Sequence, residues 1–162
     1  NAPIREEVPR AEREEMRIGR AEVLRDGEPG GLVVWAYGSM VATALDVAAR
    51  LAADGLTIGV VDARFAKPLD EELLARHARD FRHIVTLEDH QRAGGFGSAV
   101  LEAASRIPGD GSLAQVRVLG IPDRYVDHMT SREEQLASVG LDPDGVERTV
   151  RQVLGALRVE RA

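Results

Sequence analysis

The sequence contains no cysteine, so it holds neither a disulfide framework nor a thiolate metal site. Aromatic residues make up only 4% of the chain, so a core must be built from Val, Leu, Ile and Ala. Basic residues do not predominate, and the formal charge of -6 argues against a nucleic-acid surface, which needs a basic stripe. No apolar run approaches ~18 residues, so we predict no membrane partner. A cysteine-free composition is typical of a cytoplasmic protein, and we expect that compartment.

Two regions differ in composition. Residues 1–19 are charged, poor in large apolar side chains and interrupted by Pro3 and Pro9. Such a segment cannot bury enough apolar surface to fold alone, so we predict an interdomain linker there. Residues 20–162 are long enough for one domain with its own hydrophobic core.

The domain alternates apolar runs with segments of helical periodicity, which indicates an α/β fold. The run 32–37 is apolar on both faces and predicts a parallel strand covered on both sides. We therefore expect a three-layer αβα arrangement with a mostly parallel sheet of about five strands. The predicted strands lie near residues 21–24, 32–37, 56–63, 82–88 and 116–119. The predicted helices cover residues 40–53, 70–79, 95–106, a short segment ending at Gly140, and 143–157, with Ser39, Asp70, Ser131 and Asp142 as N-caps.

The stretch 84–97, IVTLEDHQRAGGFG, predicts a strand, a glycine turn and a helix N-terminus. Open α/β sheets carry their ligands at such positions. Gly94, Gly95 and Gly97 lack the G-x-G-x-x-G spacing of a dinucleotide site and the Lys-Ser/Thr of a phosphate loop. Three interpretations stay open for the turn: tight packing of a corner, a phosphate at the helix N-terminus, or a subunit contact.

Acidic and histidine side chains precede this turn. Glu88, Asp89 and His90 could transfer protons or bind a metal. Neighbouring residues on a strand point to opposite faces, so Glu88 and Asp89 are not expected to act as a pair. With no second ligand cluster apparent, we predict no metal site and no catalytic residue. His77 and His83 are predicted near the surface.

A second polar cluster follows the last predicted strand. It contains Asp123, Arg124, Tyr125, Asp127 and His128. One interpretation is a loop held by an Asp–Arg ion pair. The other is a contact surface, or a contribution to a pocket across a subunit boundary.

Several segments together resemble a known family over residues 20–155. They are YGSM with its alanine-rich helix, VVDARFAKPLD, TLEDHQRAGGFGSAVLE, VRVLGIPDRYVDH and QLASVGLD. On these segments the chain is similar to the C-terminal domain of the transketolase superfamily of thiamine-diphosphate enzymes, and within it to the 1-deoxy-D-xylulose-5-phosphate synthase family. His-Gln-Arg in the glycine turn is not diagnostic of either.

The resemblance implies a larger homodimeric enzyme that joins pyruvate to D-glyceraldehyde 3-phosphate. Thiamine diphosphate and Mg2+ would bind an N-terminal domain, and a middle pyrimidine domain would supply most substrate contacts. This chain would begin just after the Arg-Tyr-Pro-Arg-Gly motif that ends the middle domain. It would be structural, inactive alone and without bound cofactor. Its residues nearest to other domains, the partner subunit or substrate would be Glu88, Asp89, His90, Arg92, Gly94, Gly95, Gly97, Asp123, Arg124 and His128.

Two alternatives remain. The chain could be the C-terminal part of a 2-oxoacid dehydrogenase β subunit, which belongs to the same superfamily. It could instead be a non-catalytic module that binds a nucleotide or phosphate at residues 94–97.

Overall fold

A computed structural model describes residues 16–109, 113–128 and 131–160. The predicted linker lies mostly outside the described residues, and the boundary at residue 19 stays a prediction. No helix in the described ranges is long and apolar enough to cross a membrane. The strands are β1 (Glu22–Arg25), β2 (Leu32–Ala36), β3 (Gly59–Asp62), β4 (His83–Gln91) and β5 (Gln115–Ile121). The helices are α1 (Met40–Ala53), α2 (Glu71–Asp80), α3 (Phe96–Ser105), α4 (Arg132–Ser138) and α5 (Pro143–Glu160).

The five strands form one sheet in the order β1-β3-β2-β4-β5. All neighbouring pairs are parallel except β1 and β3, which run antiparallel. Every residue of β2 is buried, as expected for a central strand with helices on both faces. The prediction of a mostly parallel sheet of about five strands is confirmed.

Two separate cores lie on the two faces of the sheet, because side chains alternate along each strand. On β2, Val34 and Ala36 join the core beneath α1 and α5. Val33 and Trp35 join the core beneath α2 and α3. The three-layer αβα prediction is therefore confirmed.

Three of the four predicted N-cap residues make the capping hydrogen bond. The side-chain oxygens of Asp70, Ser131 and Asp142 accept from backbone N–H groups at 3.0, 3.1 and 3.2 Å. Ser39 occupies the N-cap position of α1 as predicted, but its side chain makes no capping hydrogen bond. Its hydroxyl instead accepts a hydrogen bond from Arg132 of α4 at 2.8 Å. A tertiary contact has replaced the local one.

The strand β4 continues past Glu88, where the sequence predicted its end. It reaches Gln91, which pairs with Ile121 at the end of β5. The register shifts between Leu87 and Gln91, so the extension is an irregular part of the ladder. Pro122 follows β5, and its missing N–H limits further pairing. The extension carries residues 88–91 to the carboxyl edge of the sheet.

Candidate functional site

A cleft of about 680 Å3 lies at the carboxyl edge of the sheet. The chain leaves β2 toward β3 on one side and leaves β4 toward β5 on the other, so this is the topological switch point where open α/β sheets place ligands. Its walls come from the ends of β2 and β4, the connection after β3, and α3. The lining residues are Tyr37, Ala66, Lys67, Pro68, Leu69, Glu71, Glu88, His90, Gly94, Gly95, Phe96, Ala99, Glu102, Ala103 and Arg106.

Glu88 is fully buried at the base of the turn that follows β4. Its carboxylate accepts hydrogen bonds from the backbone N–H of Phe96 at 2.6 Å and of Gly97 at 2.8 Å. These are the first N–H groups of α3, whose N-cap, Gly95, has no side chain to satisfy them. A negative charge at this end also complements the helix dipole. Glu88 therefore acts as a remote cap that ties β4 to α3.

The glycines of the turn are explained by the same corner. A Cβ at Gly95 would overlap the Glu88 carboxylate and the carbonyl of Gln91. A Cβ at Gly97 would lie 2.7 Å from the Thr86 hydroxyl and would overlap a methyl group of β5. Gly94 has φ +77°, a left-handed conformation that glycine adopts without strain. The geometry favours the tight-packing interpretation of the turn.

A phosphate at the start of α3 does not fit this geometry. The two N–H groups that would receive it are already bound by the Glu88 carboxylate. A second anion there would meet the negative charge at short range in a buried site. The same argument applies to the diphosphate of a thiamine cofactor. The described residues also contain no group of three or more His, Asp or Glu side chains that could hold a metal ion.

Asp89 points away from Glu88, as strand alternation predicted. It forms an ion pair with Arg132, whose Nε lies 3.0 Å from the Asp89 carboxylate. Arg132 also donates to Ser39, so one guanidinium joins the ends of β4, α4 and the start of α1. All of these groups are partly exposed, so the network can reach a neighbouring surface.

His90 and Arg92 are both exposed. His90 lines the cleft, whereas Arg92 lines a smaller cleft of about 320 Å3 beside β5 and α5. The backbone N–H of Arg92 donates to the Ile121 carbonyl at 3.0 Å, and its own carbonyl accepts from Ser98 at 2.8 Å. The main chain is thus fixed while both side chains face outward.

The second polar cluster forms an exposed loop after β5. Asp123, Arg124 and His128 are exposed, and Tyr125 is fully exposed. The Arg124 guanidinium donates to the Ser138 carbonyl at the end of α4, at 3.2 Å. In the described part of the chain, no hydrogen bond or ion pair joins these side chains to those of residues 88–92. The contact-surface interpretation for both clusters stays a prediction.

Two contacts between aromatic side chains were not predicted from the sequence. The ring of Tyr37 stacks on that of Phe96 at the cleft, with centroids 5.2 Å apart. The indole N–H of buried Trp35 donates to Nδ1 of His77 at 3.1 Å. Burial, followed by the charge of Arg76, lowers the pKa of His77, so the neutral ring is favoured. His77 is half-buried, and no local pattern marks its pairing with Trp35, 42 residues away in the sequence.

The family model for the transketolase C-terminal domain matches residues 19–146. This chain belongs to the transketolase C-terminal domain family. The match begins three residues before β1 and includes every strand of the sheet.

Two curated relatives of this transketolase C-terminal domain are 1-deoxy-D-xylulose-5-phosphate synthases. The 1-deoxy-D-xylulose-5-phosphate synthase of Synechococcus sp. (strain JA-3-3Ab) is 45% identical over 161 residues, which cover 96% of this chain and 23% of the relative. That of Gloeobacter violaceus is 46% identical over 138 residues, covering 85% of this chain and 20% of the relative. The domain thus spans about a fifth of the length of the curated relatives it matches.

Solved structures show the same fold. A split-gene transketolase, described as an inactive β4 tetramer, matches with a TM-score of 0.72 and 34% identity, covering 88% of this chain and 43% of that one. A transketolase mutant from Pichia stipitis matches with a TM-score of 0.58 at 18% identity, over 83% of this chain and 18% of that one. At 18% identity, the similarity to the Pichia stipitis structure shows a shared fold only.

Proposed function

We propose that this domain is the C-terminal part of a 1-deoxy-D-xylulose-5-phosphate synthase. The supporting observation is the 45% identity over 96% of the chain to a relative with that name. The complete enzyme would join pyruvate to D-glyceraldehyde 3-phosphate with loss of carbon dioxide, using thiamine diphosphate and Mg2+. A cofactor of this type performs the carbon chemistry, while the protein binds and orients it.

Within that enzyme we assign this domain a supporting role. The buried acid at its glycine turn is committed to α3 and does not fit an anionic cofactor. This misfit supports the proposal that the cofactor binds other domains of the same protein. The outward-facing side chains at the carboxyl edge, including Asp89, His90 and Arg92, are candidates for contact with those domains or with a homodimer partner.

An assay of the complete enzyme tests the assignment to this reaction. With pyruvate and D-glyceraldehyde 3-phosphate, 1-deoxy-D-xylulose 5-phosphate should appear at the rate at which carbon dioxide is released. If the protein instead transferred an acetyl group to a lipoyl domain, the 2-oxoacid dehydrogenase alternative would replace the proposal. An adenine nucleotide titration followed at Trp35 tests the nucleotide-binding alternative, for which a flat response is expected.

The interface role is tested by Arg92→Ala in the complete enzyme. Arg92 is exposed and its side chain supports no described ion pair, so the domain itself should fold unchanged. We expect weaker dimerisation or a raised KM, with thiamine diphosphate still bound. Loss of cofactor binding in a dimeric variant would contradict the interface role. Arg79→Ala, an exposed arginine on α2 away from this edge, serves as the control.

A further inference from the structure

The connection between β3 and α2, residues 63–70, belongs to the VVDARFAKPLD segment that carries the family likeness, yet it supplies no part of a catalytic set. It lies against the chain that enters the domain. Residues 17–20 form a turn closed by a hydrogen bond from the Arg20 N–H to the Arg17 carbonyl at 3.1 Å. Gly19 has φ +74°, and a Cβ there would lie 3.0 Å from the Pro68 ring. The entering chain is thus packed closely on this connection.

Asp70 makes the strongest contacts between the two segments. It is only 5% exposed. One carboxylate oxygen accepts from the Leu73 N–H at 3.0 Å and caps α2, and the other accepts from the Ala21 N–H at 3.0 Å. Arg20 adds an ion pair at 3.3 Å and reaches Glu72 at 2.6 Å. A single buried carboxylate therefore starts a helix and also holds the entering chain.

Arg64 makes a second contact with the entering chain, one residue after the Ala21 that Asp70 binds. Its guanidinium pairs with Glu22, the first residue of β1. Its φ of +56° is unusual for a residue other than glycine, and its backbone N–H donates to Asp62 at 2.9 Å. Such backbone conformations persist where surrounding contacts hold them, and they concentrate at binding and switch positions. Here the conformation places a long cation beside the entering strand.

We propose that the β3–α2 connection is a docking site for residues 19–22, where the linker from the preceding domain enters this one. These residues present a main-chain N–H and an arginine to the buried carboxylate of Asp70. Asp70 is the positioning residue, and Arg64 with Pro68 completes the site. By fixing residues 19–22, the site sets the point and direction at which the preceding domain is attached. The inference rests on the proposed function, because it requires a preceding domain.

The attachment can be measured by trypsin cleavage of the complete enzyme at the Arg20–Ala21 bond, followed by mass spectrometry. Asp70→Asn and Asp70→Ser keep a good N-cap for α2 but leave too few acceptors for both Leu73 and Ala21. Asp142→Asn is the matched control, because Asp142 caps α5 through the Gly145 N–H and does not contact the linker. Thermal unfolding of each variant reports whether the domain stays folded.

We expect cleavage at Arg20–Ala21 to be about tenfold faster in both Asp70 variants, because proteolysis follows the local opening equilibrium. The Asp142→Asn enzyme should be cleaved at the wild-type rate. Equal rates in the Asp70 variants and the wild type, or equal acceleration by Asp142→Asn, would overturn the proposal. The product assay on wild-type enzyme tests the proposed function separately, because its failure would leave the cleavage pattern unchanged.

Discussion

Asp70 and Glu88 are both buried carboxylates, and both bind N–H groups at the start of a helix, but they differ in what else they hold. Glu88 gives both oxygens to α3 and stays wholly inside the domain. Asp70 divides its oxygens between α2 and the entering chain. Glu88 stabilises a turn within the domain, whereas Asp70 stabilises the contact between the domain and the chain that enters it. Buried charge alone therefore does not identify a catalytic site, since its partners decide its role.

The largest effect is expected for Glu88→Ala. Two buried N–H groups would lose their acceptor, and a cavity would remain, so the free energy of unfolding should fall by about 3 kcal/mol. Glu88→Gln keeps one acceptor oxygen and should lose about half as much. Urea unfolding of the chain measures both. A loss below about 1 kcal/mol for the alanine variant would show that the corner does not depend on this carboxylate.

A smaller loss is expected for Gly95→Ala at the same corner. The added methyl would overlap the Glu88 carboxylate and the Gln91 carbonyl, which should cost about 2 kcal/mol. The control is Gly155→Ala in α5, where a Cβ meets no atom within 4 Å and helix propensity should improve stability slightly. Thermal unfolding midpoints should move in opposite directions. A shared direction would remove the packing explanation for the glycine turn.

Asp70→Asn should lower the free energy of unfolding less than Glu88→Ala, Glu88→Gln or Gly95→Ala. Asn ranks with Asp as an N-cap, and the lost contact lies at the edge of the domain, so about 1 kcal/mol is expected. The comparison with Glu88→Gln is direct, because each exchange replaces one buried carboxylate oxygen with a donor. If Asp70→Asn were more destabilising than Glu88→Gln, the contact with the entering chain would be part of the core. The distinction between the two carboxylates would then fail.

The smallest effect concerns His77, a half-buried titratable group that hydrogen-bonds neither Asp70 nor Glu88. Burial, followed by Arg76, lowers its pKa below the ordinary 6.5, so the unfolded chain binds protons more readily than the folded one. The contribution of His77 to the free energy of unfolding is therefore constant well above pH 6.5 and falls as the pH drops below 6.5. His77→Gln should lose this part of the acid sensitivity. Unfolding midpoints of both proteins between about pH 7.5 and about pH 5.5 give the difference.

The sequence predicted the sheet well because its three central strands, β2, β3 and β4, are largely apolar on both faces and its helices carry clear periodicity. Asp70 was identified as a cap from its place before two acidic residues, but its bond to Ala21 joins positions 49 residues apart. The role of Glu88 depends on β4 extending beyond it and the chain then turning back. The extension of β4 arises from tertiary pairing with β5, which no local pattern encodes, whereas the turn was predicted from its glycines. Ser39 occupies its predicted N-cap position, but its hydroxyl bonds Arg132 instead of a backbone N–H of α1.

We propose that this domain supports a thiamine-diphosphate enzyme without holding its cofactor. Calorimetric titration of thiamine diphosphate with Mg2+ into the 162-residue chain, beside the complete enzyme, tests it most directly. We predict saturable binding to the complete enzyme and no binding heat for the chain alone. Saturable binding of one cofactor to each copy of this chain would contradict the claim.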